Sequence, residues 1–174
     1  LAKPTIEMFE RFLPVMRDHR KGLRPDTVEI ILRGADQSDI VDWLTVVVPI
    51  SNTWKYAVSG EKVALMAGEK LAGKTIDMLP PNRASHLQRI YTQMITSGQA
   101  TWLECIYRFS NGKEATINTL MVPISGDGDM TAIYILSWPN LSGARWLANI
   151  LTGQEPSGLK PRAIVGTKED KIDL

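Results

Sequence analysis

The feature that most constrains this chain is Ser110-Asn111-Gly112-Lys113, an Asn-Gly pair between two strand-like runs. Asn-Gly predicts a type I′ turn, whose two central residues take positive φ, and such a turn joins two antiparallel strands. Thr101 to Phe109, rich in aromatic and β-branched residues, is the predicted strand before the turn, and Ala115 to Ile124 the strand after it. A Gly-rich turn, Ser125-Gly126-Asp127-Gly128-Asp129, then leads into a third strand, Thr131 to Trp138, and Pro139 is expected to end the sheet. Three strands joined in this way form one antiparallel sheet with helices on one face.

Upstream, Trp43 to Ile50 is apolar and β-branched, Ser51-Asn52 reads as a turn, and Trp54 to Val58 pairs back as a second strand ended by Gly60. Glu61 to Met66 and Thr75 to Leu79 are predicted as short helical turns, because Gly68 and Gly73 interrupt anything longer. After Pro80-Pro81, residues 82 to 97 form the clearest helix. Leu87, Ile90, Tyr91, Met94 and Ile95 make its apolar face, and Gly98 stops it. Thr5 to Arg20 carries Ile6, Phe9, Leu13 and Met16 on one stripe, with Pro14 expected to kink or break the helix. Asp26 to Leu32 reads as a second short helix. Beyond the sheet, Leu141 to Leu151 reads as an amphipathic helix bearing Trp146, Leu147 and Ile150, which packs on the domain or on a second copy. The polar stretch past Gly153 is expected to be a flexible tail. The expected class is α+β: an N-terminal helical extension (1–41), a five-stranded antiparallel domain (42–138), and a short helix with tail (139–174).

Composition enters mainly through what it excludes. Cys105 is the only cysteine, so neither a disulfide framework nor a multi-cysteine zinc site can form within the chain. No apolar run approaches the roughly 18 residues of a membrane span, and no signal peptide opens the chain. A cytoplasmic, reducing setting without membrane contact is expected; the start at Leu1 fits a trimmed N-terminus. The net charge of +1 offers no strong field, so no nucleic-acid partner is expected. No Gly-x-Ser-x-Gly elbow, phosphate-binding Gly-Lys-Ser/Thr loop or His-Glu-x-x-His occurs, and no metal site, catalytic residue or enzymatic activity is expected. Asp127 and Asp129 lack the further oxygen ligands of a calcium loop and read as a plain turn.

Alternation along the strands offers two inner faces for 101–109. Leu103, Cys105, Tyr107 and Phe109 are the more apolar set and are taken as inner, leaving Glu104 and Arg108 outside as a weak pair. Ile117, Thr119 and Met121, with Tyr134 and Leu136, complete the inner surface. A ligand pocket between sheet and long helix would then be lined by Tyr107, Thr119, Met121, Tyr134, Met94 and Ile90; a filled core is the alternative.

Several segments carry a family resemblance. Trp54-Lys55-Tyr56-Ala57-Val58-Ser59-Gly60, Met66-Ala67-Gly68-Glu69-Lys70-Leu71-Ala72-Gly73-Lys74 and Met78-Leu79-Pro80-Pro81, followed by the long helix and the Asn111-Gly112 hairpin, resemble in joint order the PAS family of sensory domains. The likeness is to the branch common in alphaproteobacterial proteins, with Met66 where Phe is usual, and it covers about Trp43 to Trp138. The resemblance implies a five-stranded sheet cupping short helices and a role in signal transduction through protein–protein contacts, with a small-molecule or haem-type sensor as the alternative. It also implies a homodimer through the N-terminal helix and a regulatory partner such as a sensor kinase. Haem-binding members use a histidine on the long helix, which brings in His86; read from its own surroundings, His86 is a helix-end surface residue, and no cofactor is expected. The Gly-x-Asn-Cys-Arg-Phe-Leu-Gln motif of flavin photosensors is absent, which leaves Cys105 as a buried, inert thiol.

Overall fold

In the computed structural model, which describes residues 7–19, 38–125, 131–154 and 158–172, the Asn111-Gly112 hairpin joins strands β3 (Ala100–Phe109) and β4 (Glu114–Ser125). Its turn differs from the expected type. Gly112 has φ 80°, but Asn111 does not have positive φ. The Gly112 amide donates to the Phe109 carbonyl (2.9 Å), and the Phe109 amide donates to that of Lys113 (2.8 Å). This is a three-residue loop, in which a left-handed glycine closes a type I turn with a bulge. The Asn111 side chain contributes by accepting the Lys113 amide at 3.0 Å.

The remaining strands are β1 (Leu44–Ile50), β2 (Thr53–Ser59), β5 (Thr131–Asn140) and β6 (Pro161–Ile172). The sheet order is β2-β1-β5-β4-β3-β6, and every pairing is antiparallel. The protein is therefore an α+β fold with an open six-stranded sheet. Five of the strands were expected. The sixth lies in the stretch expected to be a flexible tail, where Ile164, Val165 and Thr167 supply β-branched residues and Lys168 to Lys171 the charges usual on an edge strand. Neither does Pro139 end the sheet, since it pairs with Ile117 inside β5. Pro49, Pro123 and Pro139 each lie past the last pair with one neighbouring strand, where a missing N–H costs no ladder bond.

Helices cover both faces, not one. Helix α1 (Glu7–His19) and the short α2 (Ser38–Val41) bury Phe9, Phe12, Met16, Ile40 and Val41 against Trp102, Leu120, Val122, Tyr134 and Leu136. The Phe9 and Trp102 rings meet edge to face at 4.9 Å. Helix α1 runs unbroken through Pro14, which is exposed, because the apolar stripe on its other side is fixed to the sheet. The apolar residues of α1, expected as a dimer contact, are buried against the chain's own sheet. The expected helix at Asp26–Leu32 and the Asp127/Asp129 turn lie outside the described residues.

The opposite face carries α3 (Glu61–Ala67), a 3-10 turn (Ile76–Met78), α4 (Pro81–Ser97) and α5 (Arg145–Leu151). Leu87, Ile90, Tyr91 and Met94 of α4 pack on Val47, Leu103, Cys105, Met121, Ile133 and Ile135. Helix α5 packs on the domain through Leu147 and Leu151, and Trp146 meets Phe109 edge to face at 5.0 Å. Gly60 makes the turn from β2 into α3 possible. A Cβ there would lie 2.3 Å from the carbonyl oxygens of Val41 and Asp42.

Candidate functional site

Alternation along β3 and β4 points Tyr107, Phe109, Ile117 and Thr119 to the helical face. The β4–β5 register, with Thr119 opposite Ser137, adds Ser137 to the same face. Helix α3 and the turn after it bring Val63, Met66, Ala67 and Leu71. The first turn of α4 brings Arg83, and the start of β6 brings Pro161. Together they line a cavity of about 80 Å³ that is partly open to solvent.

Its wall is largely apolar, with four polar side chains converging: Arg83, Tyr107, Thr119 and Ser137. The Thr119 and Ser137 hydroxyls lie 3.5 Å apart, at the outer limit of a hydrogen bond, so both can turn towards a third group. The half-buried Arg83 guanidinium lies over the Tyr107 ring, 5.5 Å from its centroid. Its positive charge reaches the Tyr56, Tyr91 and Tyr107 phenols and the Cys105 thiol. Burial pushes all four of these groups up, Cys105 to about 12, so they stay protonated at neutral pH. A thiol held there is no nucleophile.

Among the described residues no carboxylate pairs with Arg83, and its Nε is buried without a hydrogen-bond partner. Glu69, on the loop after α3, is engaged by Lys74 and, at 3.7 Å, by Lys160. Among the described residues, no carboxylate or imidazole lines the cavity. No group of three or more His, Cys, Asp or Glu that could hold a metal occurs among the described residues.

Of the residues expected to line a pocket, Tyr107 and Thr119 line this cavity. Met121, Met94 and Ile90 lie in the adjoining packed core. Tyr134 is elsewhere. It pairs with Val122 and is fully buried under α1 on the other face, as is Leu136. Thr131 to Trp138 is apolar on both faces, so alternation could not tell which set met the helices; the register with β4 decides it. Arg108 pairs with Glu114 (2.8 Å), not with Glu104, whose carboxylate lies 4.0 Å from Lys168 of β6. His86 does not line the cavity; the charges it feels are Arg89, one turn on along its own helix, and Glu169 of β6. Arg83, Ser137 and Pro161 were missed. An arginine one turn into a helix looks like ordinary surface until the fold brings a cavity to it.

No known family model matches the sequence, and no curated protein matches it. Among solved structures, two of VqmA from Vibrio cholerae align at a TM-score of 0.48 and 13% identity. One covers 70% of this chain and 60% of that one; the other covers 63% and 52%. The chain thus spans little more than half the length of those receptors. The first is a VqmA–ligand–DNA complex, and the second is a VqmA dimer without its target DNA. The expectation of no nucleic-acid partner is withdrawn beside a neighbour solved with DNA. That exclusion rested on the net charge of +1, and a whole-chain sum averages over local patches.

Proposed function

We propose that this chain is a sensory or regulatory domain of PAS type, without catalytic activity, that responds to a small molecule held between its helical layer and its sheet. The observation that carries this reading is the cavity itself, a mostly apolar, partly open cleft with four convergent polar side chains, which is the usual composition of a binding site. A haem-type site is the weaker reading: His86 is not among the residues lining the cavity, and about 80 Å³ is far below the space a porphyrin needs.

The output runs through the C-terminal segment to a protein surface. Pro161 lines the cavity, and the residues around it are tied to the site's framework. The Ser110 amide donates to the Lys160 carbonyl (2.8 Å), and the Ile164 amide donates to Asn82 Oδ1 (3.1 Å). A ligand that swells or fills the cavity therefore changes how β6 is seated. The outer edge of β6, last in the sheet, is the surface a partner protein would read.

The test is a thermal-shift screen of small metabolites, with hydrogen exchange followed on β6. At least one compound is expected to raise the melting temperature and slow exchange at 158–164. A screen in which no compound does either removes the sensing role.

A further inference from the structure

Resting on that reading of the cavity, we infer that its ligand is a short-chain carboxylate, anchored by Arg83 with its alkyl tail among Met66, Leu71 and Ile117. Three observations converge on this chemistry. The first is charge. Arg83 is half-buried beside protonated phenols, with no acidic partner among the described residues and with its Nε unsatisfied. A half-buried guanidinium with a buried, unsatisfied Nε keeps a hydrogen-bond donor to offer, so the site favours an anion. The planar fork of arginine matches the two oxygens of a carboxylate.

The second observation is the hydroxyl pair. Thr119 and Ser137, 3.5 Å apart, satisfy each other poorly, and each has a hydroxyl hydrogen to offer an acceptor. The third is size and lining. A closed cavity of about 150 Å³ takes a six-carbon ring; by that scale the space of about 80 Å³ in this partly open cavity suits a group of roughly three to five heavy atoms, the range from formate to propionate. The mostly apolar wall disfavours phosphate, sulfate or another fully hydrophilic anion, which would lose hydration with nothing in exchange. It favours an anion with a one- or two-carbon tail.

Propionate, its neutral isostere propionamide, and 1-propanol are titrated into the full chain and followed by amide chemical shifts. Propionate is expected to shift residues around 63–71, 83, 119 and 137, and to bind at least tenfold tighter than propionamide. Arg83→Met is expected to remove that preference while the rest of the spectrum stays folded. Propionamide or propanol binding as tightly as propionate overturns the anionic ligand and leaves the cavity as a binding site. No shift at the cavity from any of the three overturns the carboxylate and counts equally against the sensing role. The comparison of propionate with propionamide is made on the unaltered protein, so it decides the matter even if the Arg83 variant misfolds.

Discussion

Gly60 shows how much a single backbone position can fix. Its φ is −66°, which any residue adopts, so its requirement is space: two carbonyl oxygens lie 2.3 Å from where a Cβ would be. Gly60→Ala must push apart β2 and the 41–42 backbone, and is expected to cost about 1–3 kcal/mol or to prevent folding. Gly73 is the opposite case. It has φ +86° and nothing within 4 Å of its Cβ position, so Gly73→Ala is expected to cost only about 1 kcal/mol of backbone strain. Urea denaturation of the two variants separates these causes; equal losses would show that crowding at Gly60 is relieved cheaply. His86 gives the pH dependence. Burial first, and then Arg89, lower its pKa, while Glu169 opposes them. The unfolded chain therefore takes up the proton more readily, and its ordinary pKa is about 6.5. Stability is full above that value and is lost as pH falls through it towards the lowered folded pKa. His86→Gln is expected to flatten the stability profile between about pH 7 and 5; an unchanged slope would assign it to other groups.

At the scale of elements, β6 is the segment whose identity depends most on its surroundings. Its residues make a ladder with β3 from Ala100↔Ile172 to Phe109↔Pro161, with two irregularities. Without β6, strand β3 becomes an open edge, and open edges pair with other chains. Ending the chain after Gln154 is expected to lower the melting temperature and to yield aggregates on size-exclusion chromatography. A truncated protein that stays monomeric with an unchanged melting temperature would show that β6 adds nothing to the sheet. The same element explains why the cavity was only partly legible. Tyr107 and Thr119 follow from alternation on strands whose inner face is clear, whereas Pro161 reaches the site only because a distant segment joins the sheet.

For the whole molecule, stability depends on two cores divided by one sheet. Phe12 has no exposed surface and sits under the sheet with Met16 and Leu120. Phe12→Ala is expected to cost about 3–5 kcal/mol, while Leu141→Ala, at a side chain 38% exposed, should stay within about 0.5 kcal/mol. Guanidinium melts of both variants check this; a small loss at Phe12 would mean that α1 is not part of the cooperative unit. Among the described residues, no helix is long and apolar enough to cross a membrane.

The sequence by itself determined the elements whose cause is local. The Asn111-Gly112 hairpin, the long helix with its stop at Gly98, and the order of the first five strands all follow from backbone preference and periodicity within a few residues. Only the tertiary structure decided which face Tyr134 meets, that α1 closes the second face, and that the 161–172 stretch is a strand. The reason is physical. When a strand is buried on both sides, both alternating sets are apolar and the pattern carries no direction, so register with a neighbour must supply it. An edge strand with charged residues reads locally as a tail, and becomes a strand only when the partner's unpaired amides and carbonyls lie alongside it.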